Sequence, residues 1–121
     1  MTRAYWKQIC GTLIEESPAV EGSATSGSRR LDVVILPKGE HRIAHWSEVE
    51  IEDQDIIIVQ TKVQRLGMYL MGQALFSIEL MRPFAPRSIR SVALYIKTDS
   101  VLEPLLDRYS EVEVVVMQVV Y

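Results

Sequence analysis

Apolar residues recur along the chain at helix spacing in some segments and at strand spacing in others. Residues 3–16 repeat apolar groups at helical spacing and predict a first helix that ends before Pro18. Residues 17–28 are rich in Gly and Ser and predict a flexible loop, with a weak strand around Val20 as the alternative. The run "RRLDVVILP" at 29–37 predicts a strand that Pro37 closes.

The second half of the chain predicts a regular alternation of strands and helices. Residues 55–62 form a strand that is apolar on both faces, as expected of a covered central strand. The predicted elements after it are the longest helix at 64–82, a strand at 92–97, a helix at 98–109 and a last strand at 112–120. Helical crossovers join parallel strands, whereas strands joined by loops favour antiparallel pairing. The pattern therefore predicts one α/β domain over residues 1–121, with a mixed central sheet.

Polar residues interrupt the apolar strands at three positions. Alternation along the 55–62 strand places Gln60 and Lys62 on the same face. Asp32 interrupts the preceding strand and would share that side if the two strands pair. Glu16 lies about 70° from the centre of the apolar stripe of the predicted first helix, close enough to reach the edge of the core. An acid, an amide oxygen and a lysine gathered at one point form a candidate site for Mg²⁺ or Mn²⁺, which prefer oxygen ligands.

Charge and cysteine content narrow the function classes. The formal net charge of −3 argues against nucleic-acid binding through bulk positive charge, although it leaves a local basic patch open. The single cysteine, Cys10, allows no internal disulfide and is typical of a reducing compartment. The amino terminus lacks a long apolar segment of the signal-peptide kind, and residues 66–81 are too short and too polar to span a bilayer. We therefore expect a cytoplasmic protein.

The segments "LDVVILP" and "IIIVQTK" resemble the metal site of the PD-(D/E)XK nuclease superfamily, with a Gln-x-Lys variant of the second motif. The resemblance implies a restriction endonuclease-like α-β-β-β-α-β core with a mixed central sheet, followed by an extra helix and strand. It implies Asp32, Gln60 and Lys62 as catalytic residues, and Asp32, Glu16 and Gln60 as ligands of Mg²⁺ or Mn²⁺. Each of these roles is assigned because the residue stands at the corresponding position of the motif.

The helix after the lysine also resembles that of the superfamily. Gln64 and Tyr69 are similar to the glutamine and tyrosine of RecB-type members, which implies a role in positioning the substrate or the lysine. The resemblance implies a metal-dependent nuclease that acts on DNA phosphodiester bonds. It further implies DNA as a partner and, by family analogy, a homodimer. Because the chain is acidic, sequence specificity would need a dimer or a protein partner.

Two other interpretations of the polar cluster stay open. Gln60 stands where the superfamily usually has Glu or Asp, and this departure favours a non-catalytic interaction module that retains the nuclease fold. Alternatively, the chain is a general α/β domain in which Asp32 and Lys62 are ordinary surface residues, because a lysine at a strand end usually extends into water.

Overall fold

A computed structural model of the chain describes residues 2–20, 29–65, 67–97 and 99–116. Its helices and strands follow one another in the order α1 (Thr2–Ile9), β1 (Thr12–Val20), β2 (Arg29–Leu36), β3 (Arg42–Ala44), β4 (Asp55–Arg65), α2 (Met68–Met81), β5 (Ser88–Lys97), α3 (Leu102–Leu106) and β6 (Val112–Val116). Short 3₁₀ turns follow β3 and α2.

The six strands form one mixed sheet in the order β3-β1-β2-β4-β5-β6. β1 pairs antiparallel with β2, and β2 pairs antiparallel with β4. β4, β5 and β6 are parallel to one another, and β3 lies parallel to β1 at the outer edge. The α/β class, the mixed sheet and the parallel pairing across the two helical crossovers are confirmed.

The two faces of the sheet are covered by different helices. On one face, Tyr5 and Trp6 of α1 pack against alternate residues of the strands, namely Leu13, Val33, Ile35, Ile57, Val59, Val92 and Leu94. On the other face, the buried side of α2 and two residues of α3, Leu102 and Leu106, cover β5 and β6. The carboxyl end of α2 covers β1, β2 and β4 on that same face through Met81. Both faces of β4 are thus buried, which explains its uninterrupted apolar run.

The helix predicted over residues 3–16 is wrong beyond Ile9. The chain turns at Gly11, whose φ of 85° is left-handed, and a Cβ there would lie 2.3 Å from the main-chain oxygen of Leu36. Only glycine fits such a close approach in that conformation. The residues that follow form β1, which the sequence pattern had assigned partly to the helix and partly to a loop.

Helix α2 is the longest of the three described helices, with 14 residues. It begins at Met68, later than predicted, because β4 continues as far as Arg65. In the described part of the chain, no helix is long and apolar enough to cross a membrane.

Candidate functional site

The candidate site lies where β2 and β4 stop pairing through their main chains. The antiparallel ladder joins Ile35 to Ile57, Val34 to Ile58 and Val33 to Val59. The next two facing positions are Asp32 and Gln60. At this point two hydrogen bonds from main-chain N–H groups to side-chain oxygens replace those between main chains.

Asp32 and Gln60 hold the two strands by reciprocal hydrogen bonds. The side-chain oxygen of Gln60, Oε1, accepts a hydrogen bond from the Asp32 main-chain N–H at 3.3 Å. The carboxylate oxygen Oδ2 of Asp32 accepts a hydrogen bond from the Thr61 main-chain N–H at 3.0 Å. Gln60 is only 3% exposed, so its amide needs partners inside the protein. The structure therefore brings together two of the residues predicted from the sequence.

The sequence pattern did not identify the role of Thr61. Its main-chain N–H, not its side chain, fixes the Asp32 carboxylate. Its position in the sequence could have indicated this role, because Thr61 directly follows Gln60 in a strand whose neighbouring strand contains Asp32. A carboxylate opposite the end of a ladder commonly accepts main-chain N–H groups in this way.

Two side-chain oxygen acceptors, of the chemical type that Mg²⁺ and Mn²⁺ prefer, meet at this point. Within the described residues, no side chain or main-chain group donates to the second carboxylate oxygen of Asp32, Oδ1. The Gln60 Oε1 accepts one long hydrogen bond, and a carbonyl oxygen has a second lone pair. Mg²⁺ is commonly held by one or two carboxylates, with water and substrate phosphate completing its shell. The described residues contain no group of three or more His, Cys, Asp or Glu side chains arranged around a metal ion.

Glu16 belongs to β1 and not to the first helix, so its predicted position is wrong. The β1–β2 register pairs Glu15 with Val33 and Ser17 with Leu31, which places Glu16 across from Asp32. Its φ of 52° is left-handed, and the side chain is exposed. Glu16 thus lies close to the site because it belongs to a strand beside β2, not because it extends from a helix. Its left-handed backbone interrupts the regular strand alternation, which therefore does not fix the direction of its side chain.

The other predicted residues lie on β4 and α2. The backbone of Lys62 pairs with that of Tyr95 in β5, and Gln64 lies near the end of β4. The side chains of Lys62 and Gln64 fall outside the described part of the chain. Tyr69 lies in the first turn of α2 and is 72% exposed. The roles of these three residues remain predictions.

A cluster of charged residues lies at the opposite end of β4. Arg87 donates two hydrogen bonds to the carboxylate of Asp55, and Ser88 donates one. Lys38, in the turn after β2, lies 2.7 Å from the same carboxylate. Hydrogen bonds from Arg87, Lys38 and Ser88 hold the pKa of Asp55 well below its usual range. This cluster ties β4 to its neighbours, and all its charges are already paired.

The geometry of the candidate site is a carboxylate and a buried amide that face each other where β2 and β4 separate. Asp32 and Gln60 each satisfy one main-chain N–H of the opposite strand. No family model matches the chain, and no curated protein or solved structure matches it.

Proposed function

We propose that the protein is a metal-dependent nuclease, or a nuclease-fold protein, that acts on DNA phosphodiester bonds. The observation that carries this proposal is the meeting of Asp32 and Gln60 between two neighbouring strands. Among the described residues, none donates a hydrogen bond to the second carboxylate oxygen of Asp32, and the Gln60 oxygen accepts one bond there. Both are suited to a hard divalent cation.

The element order supports a restriction endonuclease-like core as the finer description of the fold. Helix α1, strands β1, β2 and β4, helix α2 and strand β5 follow one another as α-β-β-β-α-β. The short strand β3 is inserted between β2 and β4 but pairs at the outer edge, beside β1. Helix α3 and strand β6 are the extra elements at the carboxyl end.

Asp32 would hold the ion through Oδ1, and Gln60 would contribute a neutral oxygen. Glu16, across from Asp32 in the β1–β2 register, is a third candidate ligand. When bound, Mg²⁺ or Mn²⁺ would supply positive charge at the phosphate and a more acidic water. With a single carboxylate held in place, we expect the protein to bind the ion weakly until a DNA phosphate completes the shell.

Lys62 is proposed to lie beside the attacking water, or to neutralise charge that develops on the phosphate. Gln64 and Tyr69 are proposed to position the substrate or the lysine. Because the net charge is −3, we propose that a homodimer or a protein partner supplies DNA specificity.

The test is cleavage of plasmid, single-stranded and branched DNA in the presence of Mg²⁺ or Mn²⁺. We expect wild-type protein to cut at least one of these substrates, and Lys62→Ala and Asp32→Ala to lose about a hundredfold in rate. Lys7→Ala is the matched control, because Lys7 is an exposed lysine on α1. Cleavage that is equal in wild type and in Lys62→Ala and Asp32→Ala would refute the assignment of the site.

A non-catalytic interaction module is the second candidate, and one observation favours it. The Gln60 oxygen already binds the Asp32 main-chain N–H, so the amide has a role in the fold that requires no metal. Calorimetric titration with Mn²⁺, with and without DNA, separates the two functions. Binding that Asp32→Ala abolishes supports the nuclease proposal. Absence of binding in both titrations, together with absence of cleavage, supports the interaction module.

A further inference from the structure

Helix α2 presents an apolar face to solvent. Met68 is 78% exposed and Phe76 is 70% exposed. At about 100° per residue, Met68, Gly72 and Phe76 form one line along the outer side, with Gly72 in the middle. Tyr69, also largely exposed, borders this line. Glu79, the sole charged residue in the helix sequence, lies on the same outer side towards the carboxyl end and pairs with Arg82.

The apolar outer face is not used in the described fold. Leu70, Ala74, Ile78 and Met81, on the opposite side of α2, are buried against the sheet. A helix that covers a sheet normally has a charged or polar outer side. One that is apolar all round is usually covered on both sides, and a contiguous exposed apolar surface commonly marks an interaction site.

Gly72 has no steric function within the described fold. A Cβ at this position would meet nothing within 4 Å, and the residue lies within α2. Glycine weakens a helix interior relative to alanine. A small residue on an exposed helix face does, however, allow a second helix to approach closely.

We propose that the outer face of α2 binds the same face of a second copy of this chain, with the two helices antiparallel and crossing at Gly72. A two-fold axis requires that residue i contacts residue j and that j contacts i. Met68 and Phe76 lie four residues before and after Gly72. In an antiparallel pair centred on Gly72, each Met68 therefore packs against the Phe76 of the other copy.

Charge favours the same arrangement. Gly67 precedes α2 without a side-chain cap, and the first turn contains no acidic residue. The amino end of a helix carries partial positive charge. Glu79 lies seven residues after Gly72, so an antiparallel crossing brings it beside the amino end of the other copy's α2. Glu79 pairs with Arg82 of its own chain, and in the dimer the same exposed carboxylate would also face the uncapped amino end of the other helix.

The size of the face predicts a weak dimer. Met68 and Phe76 each expose on the order of 150 Å², or roughly 600 Å² for two copies. This area is below that of a stable specific interface, so we expect a dissociation constant on the order of 10 μM.

Sedimentation velocity over a range of concentrations tests the proposal without DNA or metal. We expect a monomer–dimer equilibrium in the wild type, and a dissociation constant at least about tenfold higher in Met68→Lys and in Phe76→Glu. Gly72→Leu keeps the fold, because its side chain enters open space, but separates the helices. It should melt no lower than wild type and yet remain monomeric. Val101→Glu is the control, since Val101 is 69% exposed on a different element and should leave the dimer intact.

Mixing two variants tests the symmetry itself. Met68→Lys and Phe76→Glu should each be monomeric alone but form a heterodimer when mixed, because the new lysine then meets the new glutamate and the other contact stays native. A wild type that is monomeric throughout, or a dimer that Gly72→Leu and Phe76→Glu leave unchanged, would overturn the proposal. Either result leaves the nuclease proposal untouched, since cleavage is measured separately.

Discussion

Replacing Gln60 by leucine tests whether the buried amide holds β2 and β4 together where their ladder ends. Leucine has a similar volume but accepts no hydrogen bond, so the Asp32 main-chain N–H loses its partner. The apolar side chain itself should be accommodated, because Gln60 is 3% exposed and follows a run of buried isoleucine and valine. The perturbation is thus mainly the loss of one acceptor.

The size of the effect follows from that loss. A buried main-chain N–H left without a partner costs about 1–3 kcal/mol. The hydrogen bond to Gln60 is long, at 3.3 Å, and Asp32 is only half-buried, so water reaches the site in part. We therefore expect Gln60→Leu to lower the free energy of unfolding by about 1–2 kcal/mol and the Tm by about 3–10 °C.

Urea denaturation followed by circular dichroism measures this difference. Gln8→Leu is the control, because Gln8 is exposed on α1 and should change the stability by less than about 0.5 kcal/mol. Asp32→Asn keeps an oxygen for the Thr61 N–H and should lose less stability than Asp32→Ala. If Gln60→Leu is as stable as wild type, the amide does not hold the strands and our account of its burial is wrong.

Three further substitutions test the backbone at two glycines and the pH dependence of stability. Gly11→Ala should lower the free energy of unfolding by more than about 2 kcal/mol, because the residue is left-handed and its Cβ would collide with the main-chain oxygen of Leu36. Gly72→Ala should instead raise it by about 0.5–1 kcal/mol, and urea denaturation showing equal effects at both sites would contradict this reasoning. Asp55→Asn should be less stable than wild type at pH 7, with the difference shrinking in acid. The pKa of Asp55 is depressed in the folded protein by Arg87, so its contribution is present above the ordinary carboxyl pKa and is lost as pH falls towards the folded one. Denaturation curves between about pH 2 and 7 measure this, and a difference that does not vary with pH would rule out the ionic contribution.

The central strand and its polar residues could be predicted because burial imposes a strict pattern on them. β4 is covered on both faces, so its polar residues stand out against isoleucine and valine. Strand alternation puts Asp32 on the same face as Gln60 if the two strands pair, whereas the register that sets them opposite each other comes from the structure. The helical connections before β5 and β6 likewise predicted that β5 and β6 join the sheet as parallel strands.

β1 was missed because its apolar residues continue the spacing of the helix before it. Leu13 and Ile14 lie where the next turn of a helix would present them, yet the chain has already reversed at Gly11. The left-handed backbone at Glu16 then breaks the alternation that would have revealed a strand. Gly11 was the available signal, since glycine commonly follows the last turn of a helix. The hydrogen bond from the Asp32 main-chain N–H to the Gln60 side chain could not be predicted, because it depends on where the ladder ends.

The short ladder between β2 and β4, called the seam here, has a consequence for local unfolding of the molecule. β4 pairs with β5 along most of its length, whereas it meets β2 only near the middle, before the Asp32–Gln60 bonds take over. The sheet is thus two three-stranded units, β3-β1-β2 and β4-β5-β6, joined by few main-chain bonds. In native-state hydrogen exchange, we expect the amides of Asp32 and Thr61 to exchange at a common rate, faster than those inside either unit. Opening at the seam should stay local to the strand ends, because α1 and Met81 of α2 pack on strands from both units.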